Sequence, residues 1–361
     1  MSAVKKATKK AGGLGQLMIP LIALAILVLF NLIRDPGFFS IEMVTNNEGN
    51  QVLSGNLITI IDNASMLAII AMGMTLVTAA CGGQDISVGA VAAIAGAFFV
   101  KVANAGDSIT TGSFILGVLV CILGTIAFKM FNGTLVSVFK IQPMIATLIL
   151  FSCGRSIAYW INGSATPQLV GPIINAVGKT IPGIPIPTPI FIVVLMAILL
   201  GLIFKFTNLR LYTQSVGINQ GAARLNGINP TVIKLLSFVI LGVCVAVAAV
   251  IGVCRLHQLN HKTLLVDIEM DAILAVAIGG NNLGGGRFRI LGSVLGAYII
   301  QMLTTTLYAM SVDPVNVKAY KAIVIIIIVV AGSPVIKSRV TALFNRIRAS
   351  RNIAAAGRGV E

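Results

Sequence analysis

The sequence predicts an all-α membrane protein: a polytopic bundle of about ten transmembrane helices, with glycine-rich segments that break some of them. The first observation is composition, because 57% of the 361 residues are hydrophobic and only 10% are charged. A soluble domain carries about 25% charged residues. The second is a series of ten apolar runs, most of them near the ~20 residues that cross a bilayer. The third is that two breaks between runs are rich in glycine. A soluble enzyme and a disordered chain are therefore excluded.

Each apolar run is interpreted as a helix. The first run follows a group of lysines, and no small-x-small cleavage site comes after it, so an uncleaved helix is expected. Run 271–280 is too short to cross a bilayer alone, and we expect either a half-helix or a helix that continues slightly upstream. In chain order the runs are 17–33, 57–80, 86–102, 113–131, 143–161, 188–206, 234–254, 271–280, 290–309 and 318–332.

The charges predict which side the loops face. The net charge is +15, and an even number of crossings places both termini on one side. If that side is the cytoplasm, most lysines and arginines fall in cytoplasmic segments, Lys129 among them, which is the bias seen in membrane proteins. We therefore expect a cytoplasmic basic N-terminus (1–16), a transmembrane domain (17–333) with a cytoplasmic loop (207–233), and a cytoplasmic basic tail (334–361). The tail is predicted either to lie on the membrane as an amphipathic helix or to fray.

Several chemistries are not expected. A basic soluble chain would suggest nucleic acid, but aromatic residues make up 6% and Trp160 is the single tryptophan, so no nucleic-acid partner is predicted. His257 and His261 are four residues apart, yet a hydrated, hydrogen-bonded pair is favoured over a metal site. No catalytic constellation is visible.

The sequence also lacks a convincing nucleotide site. Gly178-Lys179-Thr180 is preceded by Gly171, but a phosphate-binding loop needs four residues between its glycines and here there are six. No cofactor is therefore expected in this chain, and an ATP-driven mechanism would need a separate ATPase subunit.

The first glycine break, residues 82–89, reads Gly-Gly-Gln-Asp-Ile-Ser-Val-Gly. Unwound backbone inside a membrane is tolerated only where it is buried or lines a cavity. Asp85 and Ser87 are suited to cap the next helix, whose N-terminal dipole favours a carboxylate. The functional alternative is that Gln84, Asp85 and Ser87 line a hydrophilic translocation pathway.

The second glycine break, residues 279–287, contains Asn281 and Asn282 and is followed by the close-packing spacing Gly292 to Gly296. Two glycine-broken helices in corresponding parts of a bundle indicate a transport path. Asn281 and Asn282 are accordingly predicted to line it.

Two other charges lie inside apolar runs. Counted from the outer ends of their helices at ~1.5 Å per residue, Asp62 and Arg155 both fall within roughly 10 Å of the outer surface. We predict an ion pair between their helices, with packing as its main role.

The inner loop 207–233 predicts a short helix. Asn219 is suited to cap it and Gly227 to end it. The small residues of this loop offer a surface on which another protein could pack closely, the alternative being a simple linker helix.

Taken together, these segments resemble the membrane permeases of bacterial sugar ABC importers of the ribose, xylose and galactofuranose kind. The resemblance covers about residues 55–332 and is closest to galactofuranose-type permeases, chiefly through residues 141–150 and 269–289. It rests on both glycine breaks, on Ile141-Gln142-Pro143 with Thr147-Leu148, on the Gly217 to Gly227 loop and on the run from Asp271 to Gly280.

The resemblance implies a bacterial inner-membrane complex of two permeases and two ATPases, fed by an extracytoplasmic sugar-binding protein, with ATP and Mg²⁺ on the ATPase. The second permease would be an identical copy or a related chain. Gly221 replaces the glutamate usual before the Ala-Ala pair, so a contact made by that acid is not expected here, although the helix itself is. The ATPase-coupling residues are then predicted to be Gly217, Asn219, Ala222, Ala223, Arg224 and Gly227.

Two alternatives remain open at this point. One is an ABC permease for nucleosides or branched-chain amino acids, since related permeases share glycine-broken helices. The other is an ion-coupled secondary transporter, which would need membrane carboxylates, and Asp62 and Asp85 are the obvious candidates.

Overall fold

The computed structural model describes residues 18, 20–45, 50–106 and 108–332, and this part of the chain is a helical bundle. The predicted basic segments 1–16 and 334–361 lie outside the described residues. The helices are α1 (Pro20–Arg34), α2 (Asn56–Cys81), α3 (Val88–Ala103), α4 (Thr111–Ser137), α5 (Pro143–Ile161), α6 (Pro172–Gly178), α7 (Thr188–Phe206), α8 (Leu209–Ile218), α9 (Gln220–Leu225), α10 (Pro230–Leu256), α11 (Ile268–Ile278), α12 (Ile290–Ala309) and α13 (Pro314–Gly332).

Six of the described helices are long and apolar enough to cross a membrane, namely α2, α4, α5, α7, α10 and α12. Helices α1 and α3 are apolar but shorter. The predicted helical membrane bundle is confirmed, whereas the count of about ten crossings stays a prediction. The short run at 271–280 does form a short helix: α11 has 11 residues and begins slightly upstream, at Ile268.

The all-α prediction missed a small antiparallel sheet before α2. Strand β1 (Glu42–Thr45) pairs with strand β2 (Gln51–Ser54), with Glu42 opposite Ser54. The backbone of Leu53 is held by a 2.9 Å hydrogen bond to the Pro185 carbonyl, far along the chain. Strands of four residues are too short to give a periodic signal, so pairing contacts rather than local pattern create them.

Helices α2 and α10 form the centre of the bundle. Most of the α2 membrane window is buried, while less than a quarter of the α4 and α7 windows is buried. Small residues allow the central helices to approach closely: a Cβ placed on Gly73 would lie 2.9 Å from the Leu241 Cα. Peripheral α7 presents large apolar side chains such as Leu195 and Leu202 outward, as expected of a surface solvated by lipid rather than water.

The bundle has two distinct ends. At one end, called here the loop end, α8 meets the C-terminus of α2 and the second glycine break, and α9 packs against α8 and α10. The opposite end carries the two strands and α6. There Leu169 donates a 2.8 Å hydrogen bond to the His257 carbonyl, and the Asn104 amide donates to the Gln168 carbonyl. The residues predicted to couple or to transport lie mostly at or near the loop end.

Candidate functional site

The short helix predicted in the inner loop is present as α9. The Asn219 side-chain oxygen accepts a 3.0 Å hydrogen bond from the Ala222 backbone, which caps the helix as predicted. The helix ends at Leu225, and Gly227 follows in the left-handed region at φ +77°, with its N–H donating to the Arg224 carbonyl. A residue without a Cβ takes this conformation at little cost. The cap and the stop are therefore both encoded locally.

The two alanines of α9 face opposite ways. Ala222 is exposed, whereas Ala223 is only 3% exposed and packs into the chain itself. The prediction that Ala223 forms part of a docking surface is wrong, because the turn of the helix points it inward. The exposed surface instead carries Arg224 and two apolar residues that the sequence reasoning missed, Ile218 (74% exposed) and Leu225 (91% exposed). A large apolar residue in an otherwise polar loop was the available signal.

Helix α8 is anchored through Gly217. A Cβ at this position would overlap the Ala79 carbonyl oxygen and lie 2.6 Å from the Gly286 backbone nitrogen. The Gly286 N–H itself donates a 3.0 Å hydrogen bond to that same Ala79 carbonyl. Three separate segments, the end of α2, α8 and the second glycine break, thus touch backbone to backbone at one point. Only glycine permits this approach.

The first glycine break joins the same point. Gly82 adopts φ +63°, and a Cβ on it would lie 2.8 Å from the Gly284 carbonyl oxygen. Gly285, at φ +94°, packs against the Gly82 Cα and the Gly217 carbonyl. We call Gly82, Gly217, Gly285 and Gly286 the glycine junction. The two glycine breaks identified in the sequence are therefore in direct contact, and α8 packs against that contact through Gly217.

The segment after Gly82 is fixed by a buried polar cluster. The Lys129 ammonium lies 2.7 Å from Asp85 Oδ2 and 3.0 Å from the Ser87 hydroxyl, and both charged side chains are fully buried. Asn132 donates a 2.9 Å hydrogen bond to the same hydroxyl. The assignment of Lys129 to the cytoplasmic surface is wrong, because α4 continues to Ser137 and carries this lysine inside the bundle.

The prediction that the side chains of Asp85 and Ser87 cap α3 is wrong, because both are engaged with each other and with Lys129. Ser87 occupies the N-cap position of α3, but its side chain makes no capping hydrogen bond. Instead Asp85 Oδ1 accepts from the Ser87 backbone at 2.8 Å and from the Ser87 hydroxyl at 2.6 Å. The neighbouring Gln84 side chain donates a 2.9 Å hydrogen bond to the Leu283 carbonyl of the second break.

The two asparagines of the second break behave differently. Asn281 is buried: its oxygen accepts a 2.7 Å hydrogen bond from the Arg289 backbone, and its nitrogen donates to the Ser293 hydroxyl at 2.9 Å. Asn282 is exposed and accepts from the Gly284 backbone at 3.2 Å. Of the five residues predicted to line the pathway, Asn282 is exposed in this conformation and the other four are buried. That these residues line a pathway stays a prediction.

The predicted ion pair between Asp62 and Arg155 is wrong. Asp62 pairs with Arg255 at 2.7 Å, and the same guanidinium donates to the Asn63 side chain. Arg155 donates at 2.7 Å to the His261 carbonyl instead. The reason is helix neighbourhood, since α2 packs along α10, which carries Arg255, whereas α5, which carries Arg155, packs along α3.

The side chains of His257 and His261 contact different parts of the chain. His257 hydrogen-bonds Asn175, and His261 packs on Tyr159 with ring centroids 4.6 Å apart. Burial and the nearby charges of Lys262 and Arg155 lower the pKa of His261, so its imidazole is neutral at pH 7. Among the described residues no group of three or more metal-ligating side chains is present.

Comparison with known proteins gives matches over most of the chain. The family described as "Branched-chain amino acid transport system / permease component" matches residues 56–332. The galactofuranose transporter permease of Escherichia coli strain K12 is 37% identical over 88% of this chain and 89% of its own length. The corresponding figures are 33%, 87% and 86% for a fructose import permease of Bifidobacterium longum, and 33%, 86% and 91% for the ribose import permease of Haemophilus influenzae. No solved structure gives a significant match.

Proposed function

We propose a function for this chain from its membership of the family of permease components described for branched-chain amino acid transport systems. The proposed function is to carry a sugar across the membrane together with a separate ATPase. The chain is a multi-pass inner-membrane transport subunit and not an enzyme. The resemblance to bacterial sugar ABC import permeases inferred from its motifs is confirmed by these relatives.

The sugar assignment rests on the relatives. Permeases named for galactofuranose, fructose and ribose match this chain over more than four fifths of its length. The family description names branched-chain amino acids, so an amino acid is the second candidate substrate. The named relatives favour a sugar because each matches most of this chain and most of its own length.

The proposed partners follow from the same membership. An ATPase subunit carries ATP and Mg²⁺, an extracytoplasmic binding protein delivers the sugar, and a second permease, identical or related, completes the pathway. The absence of a phosphate-binding loop pattern in this sequence supports a separate ATPase. Ile218 and Leu225, two large apolar side chains exposed at the loop end, support a protein contact there, since burial of apolar surface against a partner is favourable.

The contact of Gly217 with Ala79 and Gly286 is the observation that carries the coupling proposal. Helix α9 follows α8 directly, and Gly217 of α8 touches the backbone of Ala79 near the end of α2 and of Gly286 in the second glycine break. A displacement of α9 by the ATPase would therefore reach Gly82 and Gly285 through backbone contacts that cannot be compressed. We infer that Gly217, Asn219, Ala222, Arg224 and Gly227 serve this transmission, with Ala223 as an internal packing residue.

The loop end is proposed to be cytoplasmic, with both termini on that side. Arg210, Arg224, Arg287 and Arg289 all belong to loop-end segments, which agrees with the preference of basic residues for cytoplasmic loops. The opposite end would then receive the binding protein.

Uptake by reconstituted vesicles tests the proposal. Proteoliposomes with the permease, its ATPase and its binding protein should take up labelled galactofuranose, ribose or fructose only when ATP is supplied to the ATPase. Labelled leucine should not enter. Uptake driven by a proton gradient without ATPase would favour ion coupling instead, although the two candidate carboxylates, Asp62 and Asp85, are already paired with Arg255 and Lys129. ATP-driven uptake of leucine alone would assign the amino-acid role.

A further inference from the structure

An apolar groove of about 490 Å³ lies on the outside of the bundle between α7 and the start of α12. Leu200, Gly201 and Phe204 form its α7 wall, and Phe288, Leu291 and Val294 form the other. The α7 surface beside it is exposed and apolar along its length, and Leu291 is 73% exposed. In a membrane this groove faces lipid, so acyl chains rather than water are its natural solvent.

The loop end of the groove is cationic. Arg210 and Arg289 line both the groove and a contiguous recess, to which Arg287 and Gln214 also contribute. Within the part of the chain that the structure describes, no ion pair joins Arg210 or Arg287 to an acidic side chain. Arginines gathered at one site are favourable when an anion lies between them, because each guanidinium can bind its oxygen atoms.

An aromatic contact fixes the backbone that carries Arg287 and Arg289 at the cationic end of the groove, called here the cationic mouth. Phe288, between Arg287 and Arg289, is 4% exposed and packs edge-to-face on Phe204 of α7, with ring centroids 5.0 Å apart. Arg210 follows directly on the first residue of α8. The cationic mouth and the apolar groove are therefore one continuous surface, built from α7, α8, residues 287–289 and the start of α12.

We propose that this surface binds an anionic phospholipid, with an acyl chain in the groove and the phosphate against Arg210, Arg287 and Arg289. Guanidinium groups bind phosphate oxygens in a bidentate manner, and basic residues at a membrane surface attract anionic lipids. Because Arg210 belongs to α8, while Arg287 ends the second glycine break and Arg289 directly precedes α12, the bound lipid bridges α8 and the second break, two of the segments that meet at the glycine junction. This inference does not depend on which substrate the permease carries.

Native mass spectrometry of the delipidated full-length protein tests the headgroup contact. With equal concentrations of phosphatidylglycerol and phosphatidylcholine, we expect preferential retention of phosphatidylglycerol. Arg210→Gln and Arg287→Gln should each reduce that preference about five-fold. Lys101→Gln is the matched control, because this exposed lysine lies in the last turn of α3 at the opposite end, and it should leave the preference unchanged.

A second variant tests the groove. A Cβ at Gly201 would meet nothing within 4 Å, so Gly201→Leu adds bulk to the groove without a clash and should reduce phosphatidylglycerol retention several-fold. Gly201→Ala is the control and should retain the lipid. Equal retention of both lipids by the wild type would overturn the proposal, as would release of phosphatidylglycerol by inorganic phosphate alone. A third outcome would also overturn it: arginine variants that retain the lipid normally but no longer associate with the ATPase or the second permease. That outcome would identify the surface as a protein interface.

Discussion

Lys129 of α4 forms a 2.7 Å ion pair with Asp85 of the first glycine break, and both side chains are fully buried. The pair ties the unwound segment between α2 and α3 to a neighbouring helix. The Ser87 hydroxyl accepts from Lys129 and Asn132 and donates to Asp85, so one small cluster satisfies both charges. The position of the break is therefore fixed by electrostatics as well as by glycine.

Replacing Lys129 should be strongly destabilising. Lys129→Met leaves the Asp85 carboxylate buried without a cation, which costs about 3–5 kcal/mol, and the thermal midpoint in detergent should fall clearly. The double variant Lys129→Met with Asp85→Asn should recover part of the loss. Lys101→Met, at an exposed lysine, should behave like the wild type. A Lys129→Met protein of normal stability would contradict the buried pair.

The pairing of Asp62 can be measured by a double-mutant cycle. Asp62→Ala and Arg255→Ala remove the two ends of one contact, so their effects on thermal stability should be non-additive by about 0.5–3 kcal/mol. The cycle of Asp62→Ala with Arg155→Ala serves as the control. Its effects should add, because Arg155 donates to the His261 carbonyl instead. Additivity in the first cycle and coupling in the second would restore the pair expected from sequence.

Gly217→Ala should uncouple the transporter. The added methyl group would overlap the Ala79 carbonyl, so α8 must shift, and overpacking of this kind costs about 1–3 kcal/mol. We expect normal insertion and a marked loss of ATP-driven uptake in proteoliposomes. Gly201→Ala, at a glycine whose Cβ position is open, should keep normal uptake. Full uptake by Gly217→Ala would show that the glycine junction does not transmit motion.

Leu225 should be the main apolar contact for the ATPase. Truncation of a hot-spot residue of an interface costs about 2 kcal/mol or more, so, with Leu225 as the hot spot, Leu225→Ala should weaken co-purification of the ATPase by about thirty-fold. Leu123→Ala, at an equally apolar exposed position on α4, should leave it unchanged. Ala223→Arg should instead lower the amount of folded permease, because Ala223 is buried within the chain. Normal ATPase association in Leu225→Ala would place the contact elsewhere.

Thiol accessibility tests the predicted pathway. In a background without the five native cysteines, Asn282→Cys should react with a small polar reagent in the resting state, because this position is exposed. Gln84→Cys should react only when nucleotide changes the conformation of the complex, since Gln84 is 7% exposed and bonded to Leu283. If Gln84→Cys reacts equally in every state, the first glycine break has a packing role and does not line a changing pathway.

Local features of the sequence predicted much of the fold. The apolar runs became helices, with α5, α7 and α12 at the predicted bounds, because a membrane-length apolar segment has few alternatives to helix. Asn219 and Gly227 bounded α9 because capping and left-handed backbone depend on adjacent residues only. The glycine breaks were visible because paired glycines weaken a helix wherever they occur.

Which residues meet across the bundle was decided by the tertiary structure alone. Helices that are apolar all round carry no hydrophobic stripe to orient them, so the sequence could not tell that Asp62 faces Arg255 and not Arg155, or that Lys129 turns inward to Asp85. Nor could the sequence distinguish Ala222 from Ala223, two identical neighbours, of which one turns outward and the other packs inside. The sequence determined which segments form the long apolar helices. The packing of one helix against the next then set its rotation and its charge partners.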